Sequence, residues 1–242
     1  MSSLRAEWIK LRSVRTTWVL LGLGLLAEAL LAGLLPGLAS RSDLGSDSDI
    51  EDLLRGTGLL FTFVLVLGVL AITNEYRHRT VNWTFTTEPS RSRVLVAKLA
   101  MAATLGLAAG LLFVAVNAGL ALTILRSRGI ALPGSEDIVA SYAGSVVAMV
   151  LIAAFGVGVG AVVRHQVGAV VGSIAVFFVL SPLAALLGDA GRYFPAQAFA
   201  ALQRGSGEDL LEPVPGGVVL AAYVAVLAVV GTLLVRRADV TE

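Results

Sequence analysis

Six runs of apolar residues, each long enough to cross a bilayer and nearly free of charge, dominate this 242-residue chain. They are Thr17–Leu38, Gly56–Thr73, Leu99–Leu125, Ile138–Val163, Val167–Leu187 and Gly216–Val235, and Glu28 is the one formal charge inside them. Roughly 18 consecutive apolar residues is the signature of a spanning helix. Lipid offers the backbone no hydrogen-bond partner, so each run must satisfy its own N–H and C=O groups as a helix. The alternation expected of a membrane β-barrel is missing. Composition agrees, with 57% hydrophobic and 14% charged residues, about half the charge of an average soluble domain. The expectation is an all-α integral membrane protein: a six-helix transmembrane bundle forming one domain over residues 1–242.

Composition also removes whole classes of chemistry. The formal net charge is +1, which gives no basic field for nucleic acid. Cysteine is absent and the histidines are His78 and His165, so thiolate nucleophiles and a histidine-built metal cage are not expected. A phosphate-binding loop needs Gly-Lys-Ser/Thr, but the two lysines, Lys10 and Lys98, are followed by Leu11 and Leu99. The chain is therefore expected to be no enzyme and to bind no cofactor or metal of its own.

The first 16 residues differ from the rest. Leu4, Trp8 and Leu11 recur at helical spacing, with Arg5, Lys10, Arg12 and Arg15 placed elsewhere around the helix. This pattern predicts an amphipathic interfacial helix over 1–16 with its cations at the headgroups. The 22-residue run behind it exceeds a signal-peptide core of about 7–15 residues, so it reads as an uncleaved anchor. With the N-terminus inside, the cytoplasmic connections hold 12 Lys/Arg and the external ones 6. That split predicts cytoplasmic termini. The Arg-over-Lys bias in an Ala-, Gly-, Val- and Leu-rich background reads as a GC-rich bacterial genome and nothing more; the expected location is the bacterial plasma membrane. The acidic run Asp43 to Asp52 lacks the Gly and terminal Glu placement of a calcium loop and reads as a solvated external linker.

The most specific signal lies between the second and third runs. There Glu75-Tyr76-Arg77-His78-Arg79-Thr80 is followed by an apolar stretch with Trp83 and Phe85, then Pro89, Arg91, Arg93 and Lys98. This order resembles the permease subunits of ABC-2 type transporters: an acidic residue after span two, a Gly-Thr, an apolar run, Pro-x-x-Arg, and a Lys entering span three. Arg79 stands where that family usually has Gly. Two further segments resemble it as well. Gly156-Val157-Gly158-Val159-Gly160 followed by Arg164-His165-Gln166 looks like the turn between spans four and five, and Arg192-Tyr193-Phe194-Pro195 like the aromatic-Pro segment before the last span.

The resemblance implies a coupling segment that carries movement from a separate P-loop ATPase subunit to the spans. Its residues would be Glu75, Tyr76, Arg77, Arg79, Thr80, Trp83 and Phe85, with Arg164 and His165 as a second contact. It also implies a second permease subunit, identical or related, and ATP-Mg held by the ATPase partner. The physics of the segment agrees, since charge-assisted bonds and an aromatic anchor suit a soluble partner. Glu28, near mid-membrane, is either a pathway carboxylate or a neutral acid bonded through Asn117 or Ser173, because a charged carboxylate there costs roughly 2.5–3.5 kcal/mol. An ion-coupled secondary carrier and a non-transporting scaffold or immunity protein are the alternative functions. A carrier would normally show several intramembrane ionisable groups or paired broken helices.

Overall fold

The computed structural model describes residues 3–38, 56, 58–77, 91–130, 135–204 and 210–237. Every regular element among them is helical. In chain order these are α1 (Ser3–Ser13), α2 (Arg15–Leu38), α3 (Leu59–Arg77), α4 (Arg91–Ser127), α5 (Ser135–Val163), α6 (Gln166–Ile174, continuing as a π turn over Ala175–Val179), a 3-10 segment (Pro182–Tyr193), α7 (Pro195–Leu202) and α8 (Pro213–Arg237). Among the described residues, five helices are long and apolar enough to cross a membrane: Arg15–Leu34, Leu59–Arg77, Arg93–Ser127, Glu136–Val163 and Pro213–Leu234. This is the architecture of a multi-pass membrane protein. The acidic run 43–52 lies outside the described residues.

α5 is the hub, packed on α3, α4 and α8. Small residues allow this. A Cβ at Gly68 on α3 would overlap the Ala153 carbonyl oxygen, and one at Gly156 would overlap that of Leu65. The α3 and α5 backbones therefore touch directly, as small-residue faces permit when apolar side chains gain nothing from leaving lipid. Gly106 on α4 meets the Met149 carbonyl in the same way. Contacts climb in step along α3 and α5 (Gly68 with Ala153, Gly160 with Ile72) but in opposite order along α4 and α5 (Gly106 with Met149, Gly110 with Val146). So α3, α5 and α8 point one way and α2, α4 and α6 the other. One end of the bundle carries α1; the opposite is called the far end below.

The helices and the apolar runs differ in three places. The helix holding the third run starts before Leu99: α4 begins at Arg91 and takes Lys98 into the bundle. The second extends to Arg77. The fifth, Val167–Leu187, is not one spanning helix. Its apolar helix covers Gln166–Val179, about 21 Å at 1.5 Å per residue, against a hydrocarbon core of about 30 Å. Pro182 stands at the break: it has no N–H to continue the helical hydrogen bonds, and the chain passes there from the π turn into the 3-10 segment.

Between the 3-10 segment and α8 the chain folds back onto the bundle through α7. Pro195 occupies the first turn of α7 behind an extended Phe194, where its missing N–H costs nothing. Phe199 of α7 then stacks 4.3 Å from Phe61 of α3, with Phe177 5.2 Å from Phe61. Gly216 of α8 packs on Ala198 and Ala201. Arg204 bonds Asp137 at 3.0 Å and closes α7 onto the start of α5.

Candidate functional site

Both lysines of the chain meet at the α1 end. Lys98, seven residues into α4, has a side chain 1% exposed. Its ammonium donates to Glu7 Oε2 at 2.9 Å, Glu75 Oε1 at 2.8 Å and the Ala71 carbonyl at 3.0 Å. Three acceptors use all three of its N–H donors. Lys10, about half exposed, donates to Glu7 Oε1 at 2.9 Å and Glu75 Oε1 at 2.7 Å. Two ammonium groups and two carboxylates thus interlock in a compact cluster. That pairing is what makes burial tolerable, because an isolated ion in a low-dielectric medium costs several kcal/mol.

The cluster gathers three elements: α1 through Glu7 and Lys10, the end of α3 through Glu75, and the start of α4 through Lys98. Helical spacing puts Glu7 and Lys10 one turn apart on one face of α1. Trp8 and Ile9 turn outward, each close to half exposed. So α1 docks by its charged face. Lys10, expected at the headgroups, is spent on the cluster instead. A corner fixes its direction: the Trp18 indole donates to the Arg12 carbonyl at 3.0 Å, and Thr17 N–H to Val14 O at 3.1 Å. Burial alone would push the Glu7 carboxyl up, but Lys98 and then Lys10 outweigh it and hold the group below the usual carboxylate range. Burial likewise works against charged Lys10, and its bonds to Glu75 and Glu7 reverse the sign and raise it.

Beside the cluster lies the turn between α5 and α6. Arg164 adopts a left-handed φ of 56°, a conformation uncommon outside glycine. Its guanidinium carbon sits 6.0 Å from the Tyr76 ring centroid, and its Nε and Nη2 are buried with no hydrogen-bond partner among the described residues. Arg77 donates to Gln166 Oε1 at 3.1 Å. His165, exposed, caps α6 by accepting the Gly168 N–H at its Nδ1, 3.1 Å away. Of the residues predicted for coupling, Glu75, Tyr76, Arg77, Arg164 and His165 therefore share one end of the bundle, with Tyr76 on Arg164 and Arg77 on Gln166. Arg79, Thr80, Trp83 and Phe85 lie outside the described residues, between Arg77 and Arg91.

A second polar cluster lies within the bundle. Glu28 and Asn117 are fully buried. Tyr142 donates its hydroxyl to Asn117 Oδ1 at 2.9 Å, which turns the Asn117 amide nitrogen the other way. A Cβ on Gly56 (φ +72°) would overlap Glu28 Oε1 and come within 3.1 Å of Asn117 Nδ2, so both polar tips converge on the Gly56 backbone. Phe113 closes the group, its ring 2.7 Å from the same point. Ser173, the other expected neighbour, donates to Val170 O in its own helix.

Glu7, Tyr142 and Gly56 were not legible as site residues. Glu7 had one usable signal: Lys98 borders an apolar run and needs a countercharge, and Glu7 is the lone acid of an otherwise basic N-terminal segment. Among the described residues, no group of three His, Cys, Asp or Glu side chains is placed to hold a metal. The chain matches no protein-family model and no curated protein.

Proposed function

We propose that the chain is the membrane subunit of an ATP-driven exporter of the ABC-2 type, working with a separate P-loop ATPase and a second permease subunit. One observation carries the reading. Glu75 and Lys98, two residues of the ABC-2-like order, flank the 78–90 connection and are joined across it by a buried 2.8 Å ion pair. α1 is clamped to the same pair by Glu7 and Lys10. A push on the connection would reach α1, α3 and α4 together, which is what a subunit without its own nucleotide site needs in order to use a partner's ATP cycle. The ATPase would dock on Arg77, Arg79, Thr80, Trp83 and Phe85, with Arg164 and His165 beside them. ATP-Mg is held by that partner. The α1 end then faces the cytoplasm of a bacterial cell and α1 lies along the membrane surface. The short α6 and the returning α7 take the place of a sixth span, and Glu28 and Asn117 border the pathway.

The test is a mild-detergent pull-down of the tagged chain from its native cell, beside Glu75→Ala and Arg77→Ala. Stoichiometric recovery of a P-loop ATPase, reduced several-fold by either change, is the expected result. Recovery of the chain alone, with cross-linker present, overturns the proposal. The buried Glu28–Asn117–Tyr142 group favours one other reading, an ion-coupled carrier. Cargo movement at full rate in vesicles lacking any ATPase would establish that instead.

A further inference from the structure

The 3-10 segment Pro182–Tyr193 divides into two halves of opposite character. Before Gly188 it exposes Leu183, Leu186 and Leu187, with Leu186 at 81%. After Gly188 it carries Asp189, whose side chain is 90% exposed, ion-paired to Arg192, and ends at an exposed Tyr193. In a 3-10 helix residues three apart eclipse one another, so Leu183 and Leu186 align before Gly188, and Asp189 and Arg192 after it. The chemistry changes at Gly188, where the backbone breaks (φ 53°, ψ −134°). The segment keeps its own backbone bonds: Ala184 N–H to Ser181 O at 3.0 Å, and Phe194 N–H to Gly191 O at 3.0 Å. Ala184 is buried, and a Cβ on Gly191 would overlap its carbonyl oxygen, so the two halves are packed on each other while Leu183, Leu186 and Leu187 turn outward.

Directly before it, Phe178, Val179 and Leu180 are also exposed, so the leucines continue the apolar wall of α6. Burying a leucine is worth roughly 1.5–3 kcal/mol, and three in water beside a spanning surface would waste that. We propose that Pro182–Leu187 lies within the acyl region of the far leaflet and Gly188–Tyr193 in its headgroup layer, so that the kink marks the membrane boundary. The occupant of the leucine face is lipid, because the polarity step coincides with the backbone step and a tyrosine stands on the polar side, where aromatic belts form. Arg192 is placed to meet lipid phosphate. This inference is independent of the exporter reading.

The chain has no cysteine, so single-site labelling is direct. Leu186→Cys, Leu183→Cys and Asp189→Cys are each labelled with an environment-sensitive fluorophore and reconstituted in phosphatidylcholine vesicles. Quenching by acyl-chain nitroxide lipid and by aqueous iodide is then compared, on protein that elutes as a single species. Labels at 183 and 186 should be quenched several-fold more by the lipid nitroxide, and the label at 189 more by iodide. Equal iodide quenching at all three sites overturns the proposal, because the segment then stands in water. Protection of 186 from both quenchers also overturns it, because protein, such as a second copy, then covers the leucines.

Discussion

Lys98 shows how one residue can decide the arrangement around it. A buried ammonium that loses its partners, or carboxylates that lose it, leaves an uncompensated charge costing about 3–5 kcal/mol. Lys98→Met is expected to lower stability by about that much in thermal unfolding of the detergent-solubilised protein. Adding Glu75→Gln should recover part of the loss, since residues sharing a network are not additive. The pH dependence follows from the directions of the shifts. Glu7 is held low, so its contribution is complete above the ordinary glutamate value, about 4.3, and fades as pH falls through its lowered value. Lys10 is raised, so its contribution is complete below the ordinary lysine value, about 10.4, and is lost only as pH rises through the raised one. Docking of α1 should therefore be flat from about pH 5 to pH 8. A spin label at Ile9→Cys checks this by its mobility. Loosening inside that window would contradict the assignment.

At the scale of elements, what could be read from sequence tracks what repeats in sequence. The helix contacts at Gly156 and Gly160 were legible because small residues at four-residue spacing place themselves on one face. The close approach of α5 to α3 follows. Gly156→Leu, which must displace backbone, is expected to cost about 1–3 kcal/mol in the same unfolding measurement. Gly172→Leu on α6, where a Cβ meets nothing within 4 Å, should cost far less, and equal losses would refute the packing account. The break in the fifth run was not legible from hydropathy, which is uniform from Val167 to Leu187. Its local signal was Ser181-Pro182, one dipeptide in a 21-residue run that is otherwise almost wholly apolar. The return of α7 was hidden for a related reason: Tyr193-Phe194-Pro195 reads as a turn, yet the same proline starts a helix whose Phe199 is held by Phe61 and Phe177, contacts between residues far apart in the chain.

For the whole molecule, counting charges by connection placed Lys10 and Lys98 with the headgroup cations, whereas the fold uses both to join α1 to α3 and α4. The difference is physical: a positive-inside count treats each cation singly, and a buried cluster needs three elements brought together by tertiary packing. The same packing sets Tyr76 on Arg164 and Arg77 on Gln166, so the end of α3 and the start of α6 form one platform at the α1 end. The central claim is that this platform receives a soluble ATPase. It is tested most directly in native membranes with Trp83→Cys or Phe85→Cys carrying a thiol-linked photo-cross-linker, and Leu186→Cys as the control from the far end. The account predicts an adduct between position 83 or 85 and a P-loop ATPase, absent from position 186 and diminished several-fold by Glu75→Ala. Adducts of 83 and 85 with lipid alone, while the control labels equally well, would contradict it.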